Sequence, residues 1–158
     1  DPLWSRGLGD VYKRQLLLVG GDGWGRDDVD ARIARLGGRV VRPGRIPYDD
    51  LIRTYASSDC FLFPSLLEGF GFPPLEAMAS GTPVVCSDRP SLPEVVGDAA
   101  ITAAPDDVAS LADAVVAVLT EPSTADTLRR RGLEQSARFP WERTITETIA
   151  VYRRALEG

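Results

Sequence analysis

The sequence predicts an α/β fold, a parallel sheet with helices on both faces. Three observations carry this. Short apolar runs, several closed by glycine or proline, recur between Leu16 and Thr102. Segments with apolar residues at helical spacing lie between them. Beyond Asp106 only helical periodicity remains. Strands alternating with helices run parallel, because each helix carries the chain back to the starting edge of the sheet.

In chain order, LLLVG (16–20) is a continuous apolar run ending in glycines, the pattern of a strand buried on both faces. Residues 27–38 place Val29, Ile33 and Leu36 at helical spacing and stop at Gly37-Gly38. RVVR (39–42) is a second strand. Residues 48–57 put Leu51, Ile52 and Tyr55 on one helical face. CFLFP (60–64) is a third strand, residues 74–80 a short helix, PVVCS (83–87) a fourth strand and AAIT (99–102) a fifth. A helix capped by Asp106 or Asp107 then carries a stripe of Val108, Leu111, Val115, Val118 and Leu119. Leu128, Leu133 and Ala137 mark the next helix. Trp141, Ile145, Ile149, Tyr152 and Leu156 mark the last, with one strongly apolar face. The first fifteen residues, DPLWSRGLGDVYKRQ, show neither period. They read as a foreign or disordered segment, and residues 16–158 as the folded domain.

Composition narrows the function. The 158 residues suffice for one domain with a core, and 44% hydrophobic with 26% charged residues is ordinary for a globular chain. The net charge of −5 gives no general attraction to nucleic acid or anionic lipid, so neither partner is expected from charge. No apolar run approaches the roughly 20 residues that span a bilayer. The chain contains no histidine, which excludes Ser-His and Cys-His catalysis within it. Its two cysteines, Cys60 and Cys86, lie in apolar strands and read as reduced, buried thiols.

The segment richest in chemistry is FPSLLEGFGFPPLEAMASGTPVV (63–85), directly after the third strand and therefore at the carboxyl edge of the sheet, where ligands of such folds bind. Glu68 and Glu76 flank Gly69-Phe70-Gly71-Phe72-Pro73-Pro74. Glycine lets backbone approach a ligand closely, and the N–H groups of residues 69–72 are free to donate. The two prolines favour a helix start, which aims a positive helix end at the loop. Together these form an anion site suited to a diphosphate, with Glu76 in the first helical turn placed to accept sugar hydroxyls. The same residues also suit a plain strand-to-helix turn, with Glu68 solvated and Glu76 complementing the helix dipole.

The string EGFGFPPLEAMASGTPVV, followed by SLPEVVGDAA, resembles the E-x7-E region of the family-four retaining glycosyltransferases. The likeness continues through GGDG (20–23), the Arg42-Pro43-Gly44-Arg45-Ile46 turn, Tyr55, Phe63-Pro64-Ser65, Phe139 and Trp141. It covers about nine-tenths of the chain, all but the first fifteen residues. The resemblance implies the Rossmann-like C-terminal half of a GT-B fold, with its first strand missing, and a nucleotide-sugar-binding role.

What the resemblance implies is specific. Glu68 would be the catalytic-site carboxylate beside the donor sugar or its phosphate. Phe70, Gly71, Phe72 and Pro73 would line the sugar–diphosphate cradle, mainly through backbone, and Glu76 would bind ribose hydroxyls. Ile46 would contact the nucleobase, or be a core or turn residue. Arg45 would contact phosphate, or be a solvated turn arginine. Glu94 would brace the loop, and Ser91 would cap the short helix there. The family's arginine and lysine clamp on the diphosphate has no match in residues 1–15, and its amino-terminal acceptor domain is absent. The parent would transfer a hexose from a nucleoside-diphosphate sugar to an acceptor hydroxyl with retention, without a metal or other cofactor. This chain alone would be inactive. A saccharide or lipid-linked acceptor, and a cytoplasmic place that includes the inner membrane face, belong to the same expectation. A nucleotide-sugar epimerase of this architecture and a non-catalytic nucleotide-sugar-binding module are the rival readings.

Overall fold

The computed structural model describes residues 14–21 and 26–157. The expectation that residues 1–14 pack poorly lies, apart from Arg14, outside the described residues, as do Asp22 and Gly23 of the GGDG string. The chain divides into two compact units, Asp1–Asp50 and Leu51–Gly158.

In the first unit, strand β1 (Leu16–Val19) leads to helix α1 (Arg26–Leu36), a single 3-10 turn (Gly37–Arg39) and strand β2 (Val40–Gly44). β1 and β2 pair in parallel, with an irregularity between Leu17 and Val19. Gln15 donates from its side-chain amide to the Gly38 carbonyl (2.8 Å), and Arg42 pairs with Asp30. β1 is not buried on both faces as its apolar run suggests: Leu16, Leu17 and Val19 are exposed. Among the described residues its paired neighbour is β2, and the α1 residues Val29 and Leu36 are themselves exposed. No described side chain of residues 14–50 is buried.

Helix α2 (Tyr48–Ser57) crosses the boundary between the units. The second unit continues with β3 (Phe61–Phe63), α3 (Phe72–Ala79), β4 (Val84–Ser87), α4 (Leu92–Val96) and β5 (Ala100–Ala103). It ends with α5 (Val108–Thr120), α6 (Pro122–Ser136) and α7 (Trp141–Glu157). Its sheet is parallel in the order β3-β4-β5. Among the described residues the strands thus form a pair and a triplet.

β4 lies between two neighbours, and all four of its residues are buried. Successive strand side chains point to opposite faces. Val84 and Cys86 accordingly join a cluster with Tyr55, Leu75, Met78, Leu92 and Val96, supplied by α2, α3 and α4. Val85 faces the other way, into Leu111, Ala114 and Val118 of α5 with Ala125 and Leu128 of α6. This sheet therefore carries helices on both faces, as the sequence predicts.

The helices differ from expectation in detail. Asp107 is the cap of α5: its carboxylate accepts from the Ser110 N–H (3.0 Å) and hydroxyl (2.7 Å), which holds its pKa below the usual carboxylate range. In α6, Leu133 is exposed, while Leu128, Gly132 and Gln135 are buried. Gly132 sets that face, because a Cβ there would lie 3.1 Å from Met78 Cγ, so α6 packs tightly on α3. The Gln135 amide donates to the Val95 carbonyl (2.7 Å) from a buried position. α7 has no buried residue, and Ile145, Ile149, Tyr152 and Leu156 are all exposed. Cys60 and Cys86 are free thiols, both pushed by burial to a pKa of about 12, with Asp59 adding to the rise at Cys60.

Candidate functional site

β3 ends at Phe63, so the loop that follows emerges at the carboxyl edge of the three-stranded sheet. The loop is held from several elements. The Ser65 hydroxyl donates to Glu68 Oε1 (2.7 Å), fixing the carboxylate. The carbonyl of Ser65 accepts from the hydroxyl of Ser87, at the end of β4 (2.6 Å). Further along, the Ser91 hydroxyl donates to the Phe70 carbonyl (2.7 Å) and lies 3.5 Å from that of Glu68. Ser91 occupies the cap position of α4 but spends its hydroxyl on this loop and not on its own helix. The bracing role expected of Glu94 thus falls to Ser91, while Glu94 is exposed.

Gly71 ends the loop with φ of 112° and caps α3. A Cβ there would sit 2.7 Å from Leu92 Cδ2, so both conformation and space require glycine. The helix begins at Phe72, two residues before the expected Pro74. Phe72, Pro73 and Pro74 are its first three residues: their N–H positions have no intrahelical partner in any case, so two prolines cost nothing there. Glu76 therefore lies in the second turn, not the first. Among the described residues, no hydrogen bond engages the N–H groups of residues 69–72. These donors directly precede the positive end of α3, an arrangement that favours an anion.

Glu76 is partly buried, and that burial raises its pKa above the ordinary carboxylate value. A hydrogen bond from the Tyr55 hydroxyl opposes the rise. Tyr55 is buried, its ring edge-on to Phe61 at 5.1 Å, and its carbonyl accepts from the buried Thr82 hydroxyl (2.6 Å). The phenyl rings of Phe70 and Phe72 pack on each other at 4.9 Å. Phe139 meets Phe70 edge-on at 5.8 Å, and Trp141 stacks on Phe72 at 5.9 Å. Phe70 and Phe72 nonetheless remain exposed.

The remaining candidates belong to the first unit. Gly20 donates its N–H to the Gly44 carbonyl (3.0 Å), which brings the ends of β1 and β2 together. Gly44, at φ of 75°, turns the chain into Arg45 and Ile46. The Arg45 guanidinium lies over Gly21, where a Cβ would be 3.0 Å from its Nε. Arg45 is exposed and Ile46 half-buried.

Two contacts of the glutamates are absent from the sequence reading. Ser65, three residues before Glu68, is a legible signal, since serine commonly bonds to a side chain or backbone a few residues on. The Tyr55–Glu76 bond joins residues 21 positions apart and has no such signal. Among the described residues, no group of three Asp, Glu, Cys or His side chains could hold a metal ion.

A three-stranded parallel sheet with helices on both faces, and an amide-rich loop between two glutamates at its carboxyl edge, define a Rossmann-like unit of GT-B type. The chain belongs to the family described as glycosyl transferases group 1, whose pattern matches residues 6–121. That match begins within the segment set apart at the amino terminus. The chain is 43% identical over 141 residues to O-antigen chain mannosyltransferase B of Escherichia coli, covering 87% of this chain and 37% of that protein. It is 39% identical over 115 residues to MMP alpha-(1->4)-mannosyltransferase of Mycolicibacterium hassiacum, covering 68% of this chain and 27% of that one. Among solved structures, sucrose-phosphate synthase of Thermosynechococcus elongatus superposes with a TM-score of 0.81 at 32% identity, over 90% of this chain and 39% of that one. Anabaena HepE in complex with UDP and glucose shares the fold, with a TM-score of 0.77 at 24% identity, over 88% of this chain and 41% of its own. The chain thus spans well under half the length of each of these proteins.

Proposed function

We propose that this chain is the donor-binding part of a transferase that moves a hexose from a nucleoside-diphosphate sugar to an acceptor hydroxyl, with retention of the anomeric configuration. The observation that carries the proposal is the loop of free N–H groups at residues 69–72, ahead of α3 and between Glu68 and Glu76. In this reading the amides and the helix end take up charge as the diphosphate departs. Glu68, fixed by Ser65, faces the sugar or its phosphate, and Glu76 receives the ribose hydroxyls. Phe70, Gly71, Phe72 and Pro73 form the cradle through their backbone. Arg45 contributes charge to the phosphates and Ile46 meets the base. The mannosyltransferases among the similar proteins support a hexosyl donor, and the UDP bound to HepE supports a nucleoside diphosphate as leaving group. No metal or other cofactor takes part. The acceptor, a saccharide or a lipid-linked one, is held by a further domain, and the whole protein works in the cytoplasm, reaching the inner membrane face.

The test uses the full-length protein with nucleoside-diphosphate hexoses, saccharide acceptors and a metal chelator. The expected result is a glycoside with the donor's anomeric configuration, formed equally well with the chelator. Epimerised donor without transfer would establish an isomerase, and binding without turnover a non-catalytic module.

A further inference from the structure

Glu68 stands in a stretch with little apolar packing of its own: Leu66 and Leu67, the two residues before it, are exposed. Hydroxyls set its position instead. The β3–β4 ladder ends at the pair Phe63 and Cys86, and the next residue of β4, Ser87, continues the attachment with its side chain. The hydroxyl of Ser87, a fully buried residue, donates to the Ser65 carbonyl (2.6 Å). The Ser65 hydroxyl in turn donates to Glu68 Oε1 (2.7 Å), with the Leu67 carbonyl at 3.2 Å as the other acceptor for the same proton. An ionised acceptor makes the stronger bond, and the shorter distance agrees. Glu68 is thus tied through one side chain to β4, the buried strand between β3 and β5.

An ionised carboxylate accepts hydrogen bonds and donates none. Ser65 holds Oε1, and among the described residues no hydrogen bond engages Oε2. A diphosphate is anionic and offers acceptor oxygens, so such a group repels it, whereas a sugar hydroxyl can donate to it. We infer that Ser65 is a positioning residue for the sugar half of the donor: by holding Oε1 from the β4 side it leaves Oε2 to accept from a sugar hydroxyl. The backbone amides of residues 69–72, attached separately through the bond from Ser91 to the Phe70 carbonyl (2.7 Å), then serve the diphosphate. The inference rests on the reading of Glu68 as the carboxylate beside the donor. It adds the residue that orients this carboxylate and the half of the donor that it serves.

The experiment titrates the full-length protein by calorimetry, without acceptor, with UDP-glucose and GDP-mannose, each beside its own nucleoside diphosphate. The readout is the ratio of the sugar-bearing to the sugar-free affinity. Glu68→Ala should lower that ratio about tenfold or more, the effect of one hydrogen bond to a charged group. Ser65→Ala should lower it about threefold or more, while the affinity for the nucleoside diphosphate stays within about twofold of the unmutated protein. On the Glu68→Ala background, Ser65→Ala should change the ratio no further, because Ser65 acts through the carboxylate. Ser91→Ala loosens the amide half of the loop, so it should weaken both ligands alike and keep the ratio. If Glu68→Ala lowers the ratio and Ser65→Ala does not, Ser65 does not orient Glu68 and the inference fails while the reading of Glu68 stands. The inference fails in the same way if Ser65→Ala lowers the ratio equally without Glu68, or if Ser91→Ala lowers it as much, since general loosening of the loop is then responsible. A ratio that Glu68→Ala leaves unchanged, or a protein that binds neither pair, removes the reading of Glu68 itself.

Discussion

Two strands make an instructive pair. β1 is Leu-Leu-Leu-Val and β4 is Val-Val-Cys-Ser, so by sequence β1 is the more apolar. Yet β4 is wholly buried, and three of the four β1 residues are exposed. The difference is one of layers. β4 pairs on both sides, and each of its faces has helices packed against it. Among the described residues β1 pairs with β2, in a unit with no buried described side chain. An apolar run shows what a strand can bury, but burial needs a covering layer on each face. The candidate site follows the same division: the loop of residues 64–71 is bonded to buried elements, whereas Arg45 and Ile46 lie on a unit whose described side chains are not buried.

The largest expected effect tests this contrast directly. Met78→Ala empties a fully buried position against Gly132 and should destabilise by about 2–5 kcal/mol in chemical denaturation. Leu17→Ala removes an equally apolar side chain from β1 and should cost below ~1 kcal/mol. Equal losses would show that β1 is buried in solution, and the contrast between the two strands would disappear.

A second, somewhat smaller effect sharpens the contrast at the site. Gly71→Ala adds a Cβ at 2.7 Å from Leu92 and imposes a left-handed backbone on an L-residue, which should cost about 1–3 kcal/mol. The same change at Gly44 meets no atom within 4 Å and carries only the backbone cost. Thermal melts of the two variants should differ, with Gly71→Ala the lower. Nucleotide titration should show that it also loses affinity, because the cradle shifts. A Gly71→Ala chain as stable as Gly44→Ala would mean that Leu92 moves aside and the loop is softer than its contacts imply.

How much of this was legible beforehand depends on the range of the interaction involved. Among the described residues the five strands and all the helices but α4 follow from local periodicity, and the tail helix α7 shows the apolar face that its spacing predicts, left exposed at Ile149, Tyr152 and Leu156. The motif loop was legible as a donor-rich turn, because glycines, prolines and flanking glutamates are local features. The start of α3 was misplaced by two residues, since Gly71 takes the cap position and both prolines fit inside the first turn. Leu133, which marks α6 in the sequence, is exposed, because Gly132 beside it is the point where α6 meets Met78, a contact 54 positions away in sequence. The hydroxyls of Ser87 and Ser91 and the Tyr55–Glu76 bond were hidden for the same reason: each partner comes from another element.

Ser91→Ala gives a third effect of moderate size. It removes the donor to the Phe70 carbonyl and should cost about 1 kcal/mol, with a matching loss of nucleotide affinity from a looser loop. Glu94→Ala, on the same short helix but exposed, should change neither by a measurable amount. The two variants measured side by side by calorimetric titration decide which residue braces the loop. A larger loss at Glu94 would return that role to it.

The smallest effect, and the one that tests most finely whether the second unit has an interior, concerns the charge on Glu76. Burial raises its pKa in the folded chain above the ordinary value of 4.5, and the Tyr55 hydrogen bond offsets only part of that rise. A carboxyl whose folded pKa is raised binds its proton more tightly in the folded than in the unfolded chain. Stability is therefore favoured at low pH, and the gain is lost as pH rises through the folded value. The desolvation cost is fully present above the folded value and gone below the unfolded value of 4.5. Glu76→Gln keeps an oxygen that accepts from Tyr55 but carries no charge. It should melt slightly above the unmutated chain at pH 7, and the gap should close by pH 4, even as ribonucleotide affinity falls. Asp30→Asn in the first unit, where the Arg42 pair stands in solvent, should shift stability by no more than about 1 kcal/mol at either pH. Should Glu76→Gln melt below the unmutated chain at pH 7, the folded chain stabilises that charge, and Glu76 sits in surroundings more polar than its place beside the core implies.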